Sequence, residues 1–115
     1  MGYDVHITRA SDWTEAESVP ITLDDWLALV EADAEMRLDG YAAASTPEGT
    51  LRYENKGLVV WTKYSRHDVN GNRAWFDYRR GRVVVKNPDE EILAKMKQLA
   101  AKLGANVVGD EGEEY

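Results

Sequence analysis

The segment from Asn87 to Gly104 constrains the fold most, because it carries the start, the buried face and the end of a helix. Asn87 is a favourable N-cap, Pro88 suits the first helical position, and Gly104 is typical of the residue after a helix. Apolar residues between them recur at helical spacing, namely Ile92, Leu93, Met96, Leu99, Ala100 and Leu103. The sequence therefore predicts an amphipathic helix that must pack on another layer.

A first helix is predicted to begin after Thr22, whose hydroxyl can cap it. Asp24 and Asp25 fall in the first turn, where the helix dipole favours acids. Its apolar stripe consists of Leu23, Trp26, Leu27 and Val30. We predict that this helix ends near Met36.

The remaining segments carry signals of strands and turns. Tyr3, Val5 and Ile7 alternate with polar residues, which predicts a half-buried strand near the start. Residues 11–20 are polar and predict a loop, whereas residues 41–49 fit either a short strand or a loop. Further strands are predicted over 51–53, 58–64, 74–78, 82–86 and 105–108, with a hairpin signal at Asn70 and Gly71.

These elements together predict a single α+β domain. Their order is β-α-(β)-β-β-β-α-β, which favours an antiparallel or mixed sheet of about five strands with two helices on one face. A chain of 115 residues is long enough for one domain. Residues 1–109 are predicted to form it, and residues 110–115 to form a solvated acidic tail.

The composition excludes several classes of protein. The chain has no cysteine, so disulfides and thiol chemistry are excluded. The first residues lack a basic leader followed by an apolar run, and no stretch approaches the roughly 20 apolar residues that span a bilayer. We expect a cytoplasmic protein that does not bind a membrane.

Charge is sorted along the chain into two opposed blocks. Residues 12–39 carry nine acids against one base, a local net charge of −8, and residues 52–86 carry nine bases against three acids, a local net charge of +6. The total of −7 is the remainder. Such sorting favours a molecule whose faces attract partners of opposite charge.

No catalytic or metal-binding constellation stands out in the sequence. His6 lies on the polar phase of the first strand and His67 precedes Asp68, but no cysteine or further histidine accompanies them. The acids show neither calcium-loop nor zinc spacing, so we expect no metal and no cofactor. An enzyme would need a cleft that gathers His6 or His67 with acids of the 12–39 block.

The sheet segments contain aromatic residues among cations. If Trp75 faces away from the helices and Trp61 lies beside it, the surrounding bases form a platform that can stack and neutralise single-stranded nucleic acid. The candidate residues are Trp61, Lys63, Arg73, Trp75 and Arg82. The net negative charge disfavours this partner, and both tryptophans can equally be packed inside the protein.

Several segments resemble a group of small acidic, uncharacterised bacterial proteins. They are Trp75-Phe76-Asp77-Tyr78, Val83 to Asp89, Lys95-Met96, Val108 to Glu113, and Ile21 to Trp26. The resemblance covers roughly half of the chain and implies a stand-alone bacterial domain. It implies no catalytic residue, cofactor or partner.

The leading hypothesis is a non-enzymatic binding protein that engages a basic protein partner through the acidic first helix. A toxin-neutralising immunity protein is its most concrete form, because acidic inhibitors associate rapidly with basic enzymes. The candidate contact residues are Asp24, Asp25, Glu31, Asp33 and Glu35. The alternatives are nucleic-acid or nucleotide binding on the sheet, a small enzyme, and acids that only keep the protein soluble.

Overall fold

The computed structural model describes residues 3–69 and 73–115, and it has an α+β fold. Neither of its α-helices is both long and apolar enough to cross a membrane. The elements in chain order are β1 (Asp4–Thr8), a 3₁₀ helix (Trp13–Ser18), α1 (Leu23–Ala32), β2 (Met36–Leu38), β3 (Tyr41–Thr46), β4 (Gly49–Glu54), β5 (Leu58–Trp61), β6 (Ala74–Arg79), β7 (Arg82–Lys86), α2 (Glu90–Leu103) and β8 (Asn106–Gly109).

Six strands form one antiparallel sheet in the order β2-β5-β6-β7-β1-β8, and β3 and β4 form a separate hairpin. The α+β class and the antiparallel pairing are confirmed. The expected number of about five strands is too low, because β2 replaces the last turn of the predicted first helix and β3 is a full strand. Every residue of β4 is exposed, so the hairpin has no alternating burial.

The hydrophobic core lies between one face of the sheet and both helices, as expected. Odd-numbered positions of β1, β5 and β7 point into it, as do even-numbered positions of β6. Trp26 of α1 and Met96 and Leu99 of α2 are fully buried against this face. The Trp26 indole N–H donates to the Gly57 carbonyl at 3.0 Å, so burial leaves no polar atom of this ring unpaired.

Helix α1 ends at Ala32, before the predicted end near Met36. Asp33 has an extended backbone, and its carboxylate accepts the Glu35 N–H at 2.9 Å. The Met36 N–H then bonds to the Asp33 carbonyl at 3.0 Å. This local turn competes with helix continuation and directs the chain into β2.

Helix α2 begins at Glu90 with Asp89 as its N-cap, so the assignment of Asn87 as the cap is wrong. The Asp89 carboxylate accepts the Ile92 N–H at 2.9 Å. Asn87 instead has a left-handed backbone, with φ 47°, and its side chain accepts the Tyr3 N–H at 2.8 Å. The helix stop at Gly104 is confirmed, with φ 63°.

The polar segment 11–20, predicted as a loop, contains the 3₁₀ helix. The Asp12 side chain caps this helix by accepting the Thr14 N–H at 3.0 Å. Trp13, at its start, covers the face of the sheet that points away from α1 and α2, and stacks on His6. The predicted turn at Asn70 and Gly71 lies outside the described residues.

The C-terminal residues fold back along β8, which differs from the expected solvated tail. The Gly109 N–H donates to the Glu113 carbonyl at 2.8 Å, and the Tyr115 N–H donates to the Val107 carbonyl at 3.0 Å. Asp110 accepts the Asp4 N–H at 3.0 Å. The acidic composition of residues 110–115 gave no signal of these backbone contacts.

Candidate functional site

The structure divides the five predicted contact acids into paired and unpaired residues. Asp25 forms an ion pair with Arg9 at 3.1 Å, and both Asp33 and Glu35 bind Lys95, at 2.7 and 3.1 Å. Asp24 and Glu31 are exposed and make no ion pair with any described residue. They are seven positions apart on α1, which places them on the same outer side two turns apart.

Asp33 and Glu35 both bind Lys95, which is only 5% exposed; the Asp33 side chain is nearly buried, whereas that of Glu35 is half-exposed. Burial alone raises the pKa of the Asp33 carboxyl, but hydrogen bonds from the Lys95 ammonium and the Glu35 N–H outweigh it, and the pKa is lowered. Hydrogen bonds from the Trp61 indole and from Lys95 lower the pKa of Glu35. These two acids fasten the α1–β2 turn to α2, and the single charge of Lys95 balances only one of them, so the cluster keeps a net charge of −1.

An open concavity of about 510 Å³ lies between α1 and β2. Its apolar lining includes Leu27, Val30, Met36 and Leu38, and Glu31 also borders it, whereas Asp24 lies two helical turns before Glu31. Leu38 is 48% exposed, which is high for a leucine on the helix-facing side of a sheet. An apolar surface bordered by an unpaired acid is thus available beside α1.

A second, larger groove of about 710 Å³ lies between the β3–β4 hairpin and the face of the sheet that points away from the helices.

The five residues of the predicted nucleic-acid platform do not share one surface, so that arrangement is wrong. Trp61 pairs with Ala74 across β5 and β6, which puts Trp61 and Trp75 on opposite faces of the sheet. Trp61 is 8% exposed, and its indole N–H donates to Glu35 at 3.1 Å. Lys63 is exposed after β5, and Arg82 lies over Trp13 at 5.1 Å.

Only Arg73 and Trp75 of that set line the groove under the hairpin. Two arginines of this groove lie over aromatic rings, Arg52 over Tyr41 at 4.0 Å and Arg73 over Trp75 at 6.0 Å. Arg79, which does not line the groove, lies over Tyr53 at 5.8 Å. Each arginine also has an acidic neighbour, in the pairs Arg52–Glu54, Arg73–Asp68 and Arg79–Asp77. The groove is therefore aromatic, and its charges are largely balanced.

Sequence reasoning missed the hairpin as a wall of this groove. Its base is attached to β6 by the Tyr53 hydroxyl, which donates to Asp77 at 3.2 Å, and by the Asn55 amide, which donates to the Tyr78 carbonyl at 2.7 Å. These contacts join residues more than twenty positions apart. The alternation of Tyr41 and Tyr53 with small or polar residues was the available signal.

His6 is buried between the sheet and Trp13, with both ring nitrogens engaged. Its Nε2–H donates to Asp110 at 2.8 Å, and its Nδ1 accepts from Arg82 Nε at 3.2 Å. Burial lowers the pKa of His6, and the Arg82 charge adds to this, whereas the Asp110 hydrogen bond opposes it. A neutral ring without a free nitrogen is suited to holding elements together.

His67 lies in the loop after β5, with Nε2 at 3.2 Å from Asp68. Within the described residues, neither His6 nor His67 pairs with an acid of the 12–39 block, and no three His, Asp or Glu side chains gather as a metal site. His6 and His67 therefore do not form a cleft with acids of the 12–39 block, which is the arrangement that the enzyme hypothesis requires.

No family model, curated protein or solved structure matches this chain. The resemblance to small acidic bacterial proteins stays a prediction. The two surfaces from which a function can be inferred are the α1–β2 concavity and the hairpin groove.

Proposed function

We propose that this chain is a non-enzymatic binding protein that engages a basic protein partner through α1 and β2. The observation that carries the proposal is the position of Glu31, which is exposed, makes no ion pair with a described residue and borders an apolar concavity; Asp24 lies two turns away on the same side of α1. The contact surface is narrower than the sequence predicted, because Asp25, Asp33 and Glu35 have partners within the chain.

An apolar centre with a charged rim is the usual composition of a protein interface. Leu27 and Leu38 supply the centre, and Glu31 supplies part of the rim. The net charge of −7 attracts a basic partner over long distances and raises the association rate. A toxin-neutralising immunity protein remains the most concrete form of this function.

Capture of partners from a bacterial lysate at low salt tests the proposal. The test variant is the double substitution Asp24→Lys and Glu31→Lys. The matched control is Glu48→Lys and Glu111→Lys, which changes two exposed acids elsewhere and shifts the net charge equally. We expect the wild type and the control to retain one basic protein that the test variant loses. Equal retention by all three proteins would exclude α1 as the contact surface.

A second candidate function is the binding of single-stranded nucleic acid or nucleotides in the hairpin groove. The arginine and aromatic pairs around Tyr41, Tyr53 and Trp75 favour it, because bases stack on such surfaces. We expect a short oligothymidylate to quench tryptophan fluorescence at low salt, and Trp75→Leu to abolish the quenching. Unchanged fluorescence of the wild type at low ionic strength would remove this candidate.

A further inference from the structure

The two edges of the six-stranded sheet differ in how they are covered. The outer edge of β8 is paired with the chain's own C-terminal residues, through an isolated bridge between Val108 and Glu114 and the backbone bonds of Gly109 and Tyr115. The opposite edge is β2, which, among the described strands, pairs with β5 alone. Open edge strands are surfaces on which another chain can add a strand.

The hydrogen-bond pattern of β2 shows which backbone groups point outward. The Thr62 N–H donates to the Glu35 carbonyl at 2.8 Å, and the Asp39 N–H donates to the Leu58 carbonyl at 3.1 Å. Bonded and non-bonded pairs alternate in an antiparallel ladder, so Arg37 bonds to β5 and Leu38 does not. The N–H and C=O of Leu38 therefore point away from the sheet.

We infer that an extended segment of the basic partner adds to β2 as a further strand. This inference rests on the proposed function and names how the partner binds. Backbone groups of the segment would bond to Leu38, and one apolar side chain would enter the concavity beside Leu27. A lysine or arginine two positions along the segment lies on the same face and reaches Glu31.

Charge complementarity selects a basic segment over a second copy of this chain. Two copies each carry a net charge of −7 and therefore repel each other. A lysine-rich strand instead brings positive charge to Glu31, at the border of the concavity. A second copy is nevertheless one outcome of the test below.

The probe is a synthetic peptide with the sequence Lys-Ser-Val-Ser-Lys-Ser-Lys, capped at both ends, in which the valine and the lysines share one face of an extended strand. Its control has glutamate in place of every lysine. Binding is measured by fluorescence anisotropy, and amide hydrogen exchange of the ¹⁵N-labelled protein is measured by NMR. We expect the lysine peptide to bind and to slow exchange of the Leu38 amide at least tenfold, and the glutamate peptide to do neither.

The outcomes separate strand addition from the proposed function. Binding that requires Asp24 and Glu31 but leaves Leu38 exchange unchanged overturns strand addition and keeps the proposed surface. Absence of binding, or binding that survives Asp24→Lys and Glu31→Lys, overturns both.

A Leu38 amide that is already protected in a dimer of the free protein overturns the basic segment in favour of a second copy. N-methylation of alternate peptide amides should abolish binding if the backbone bonds form.

Discussion

Two buried polar side chains, His6 and Lys95, connect parts of the chain that are far apart in sequence. His6 joins β1 to the C-terminal residues through Asp110, and Lys95 joins α2 to the α1–β2 turn through Asp33. Each satisfies groups that would otherwise be buried without a partner, so each is expected to influence stability strongly.

Stability should fall as the pH drops below about 6.5, the ordinary pKa of histidine. The folded protein lowers the pKa of His6, so in that range the unfolded chain binds more protons and is favoured. The charged or titratable groups that face His6 are Asp110, Asp4 and Arg82. Urea denaturation at pH 7.5 and 5.5 should show a smaller loss in His6→Gln than in the wild type. An equal loss in both proteins would show that His6 does not cause it.

Replacing Lys95 by methionine should cost about 3–5 kcal/mol of unfolding free energy, because the nearly buried Asp33 carboxylate loses its counter-charge. Lys97→Met is the matched control, since Lys97 is exposed on the same helix, and it should change stability by no more than about 0.5 kcal/mol. Urea denaturation measures both. Similar small effects would show that the Lys95 pairs contribute little.

At the scale of elements, the C-terminal residues behave as part of the sheet. Asp110→Ala removes the acceptor of both the His6 Nε2–H and the Asp4 N–H. We expect a cost of about 1–3 kcal/mol, because a buried donor is left unpaired. Glu111→Ala, an exposed neighbour, should be nearly neutral. Equal melting temperatures for these two variants would support the solvated tail that the sequence predicted.

The contact between α2 and the sheet gives a second prediction at this scale. Leu99 is fully buried, so Leu99→Ala should cost about 2–5 kcal/mol. Leu51 is 66% exposed on the hairpin, and Leu51→Ala should cost less than about 0.5 kcal/mol. Thermal melts compare the same substitution at the two sites. A larger effect at Leu51 would place the core elsewhere.

Local signals sufficed where an element is determined by its own residues. The periodicity of α2, its stop at Gly104 and the Thr22 cap of α1 were all predicted correctly. The end of α1 was not, because it depends on a turn at Asp33 that Lys95 stabilises from another helix. The separation of Trp61 from Trp75 depends on the register of β5 and β6, which neither strand specifies alone.

At the scale of the whole molecule, the acidic block does not form one uniform surface. Four of its acids form ion pairs within the fold: Asp25 with Arg9, Asp33 and Glu35 with Lys95, and Asp39 with Arg37. Asp24 and Glu31 are the members of the predicted contact set that make no ion pair with a described residue. The arginines of the groove likewise have acidic neighbours. Under the proposed function, the excess negative charge attracts a basic partner, and the apolar concavity offers that partner an apolar contact surface.

Carbodiimide cross-linking tests the central claim most directly, because it joins a carboxylate to a lysine only when the two are in contact. The protein is treated in a low-salt bacterial lysate, and the cross-linked peptides are identified by mass spectrometry. We expect links from Asp24 or Glu31 to lysines of a single basic protein, and their loss at high salt. Links to a partner that arise only from acids outside α1, such as Glu48 or Glu111, would contradict the account.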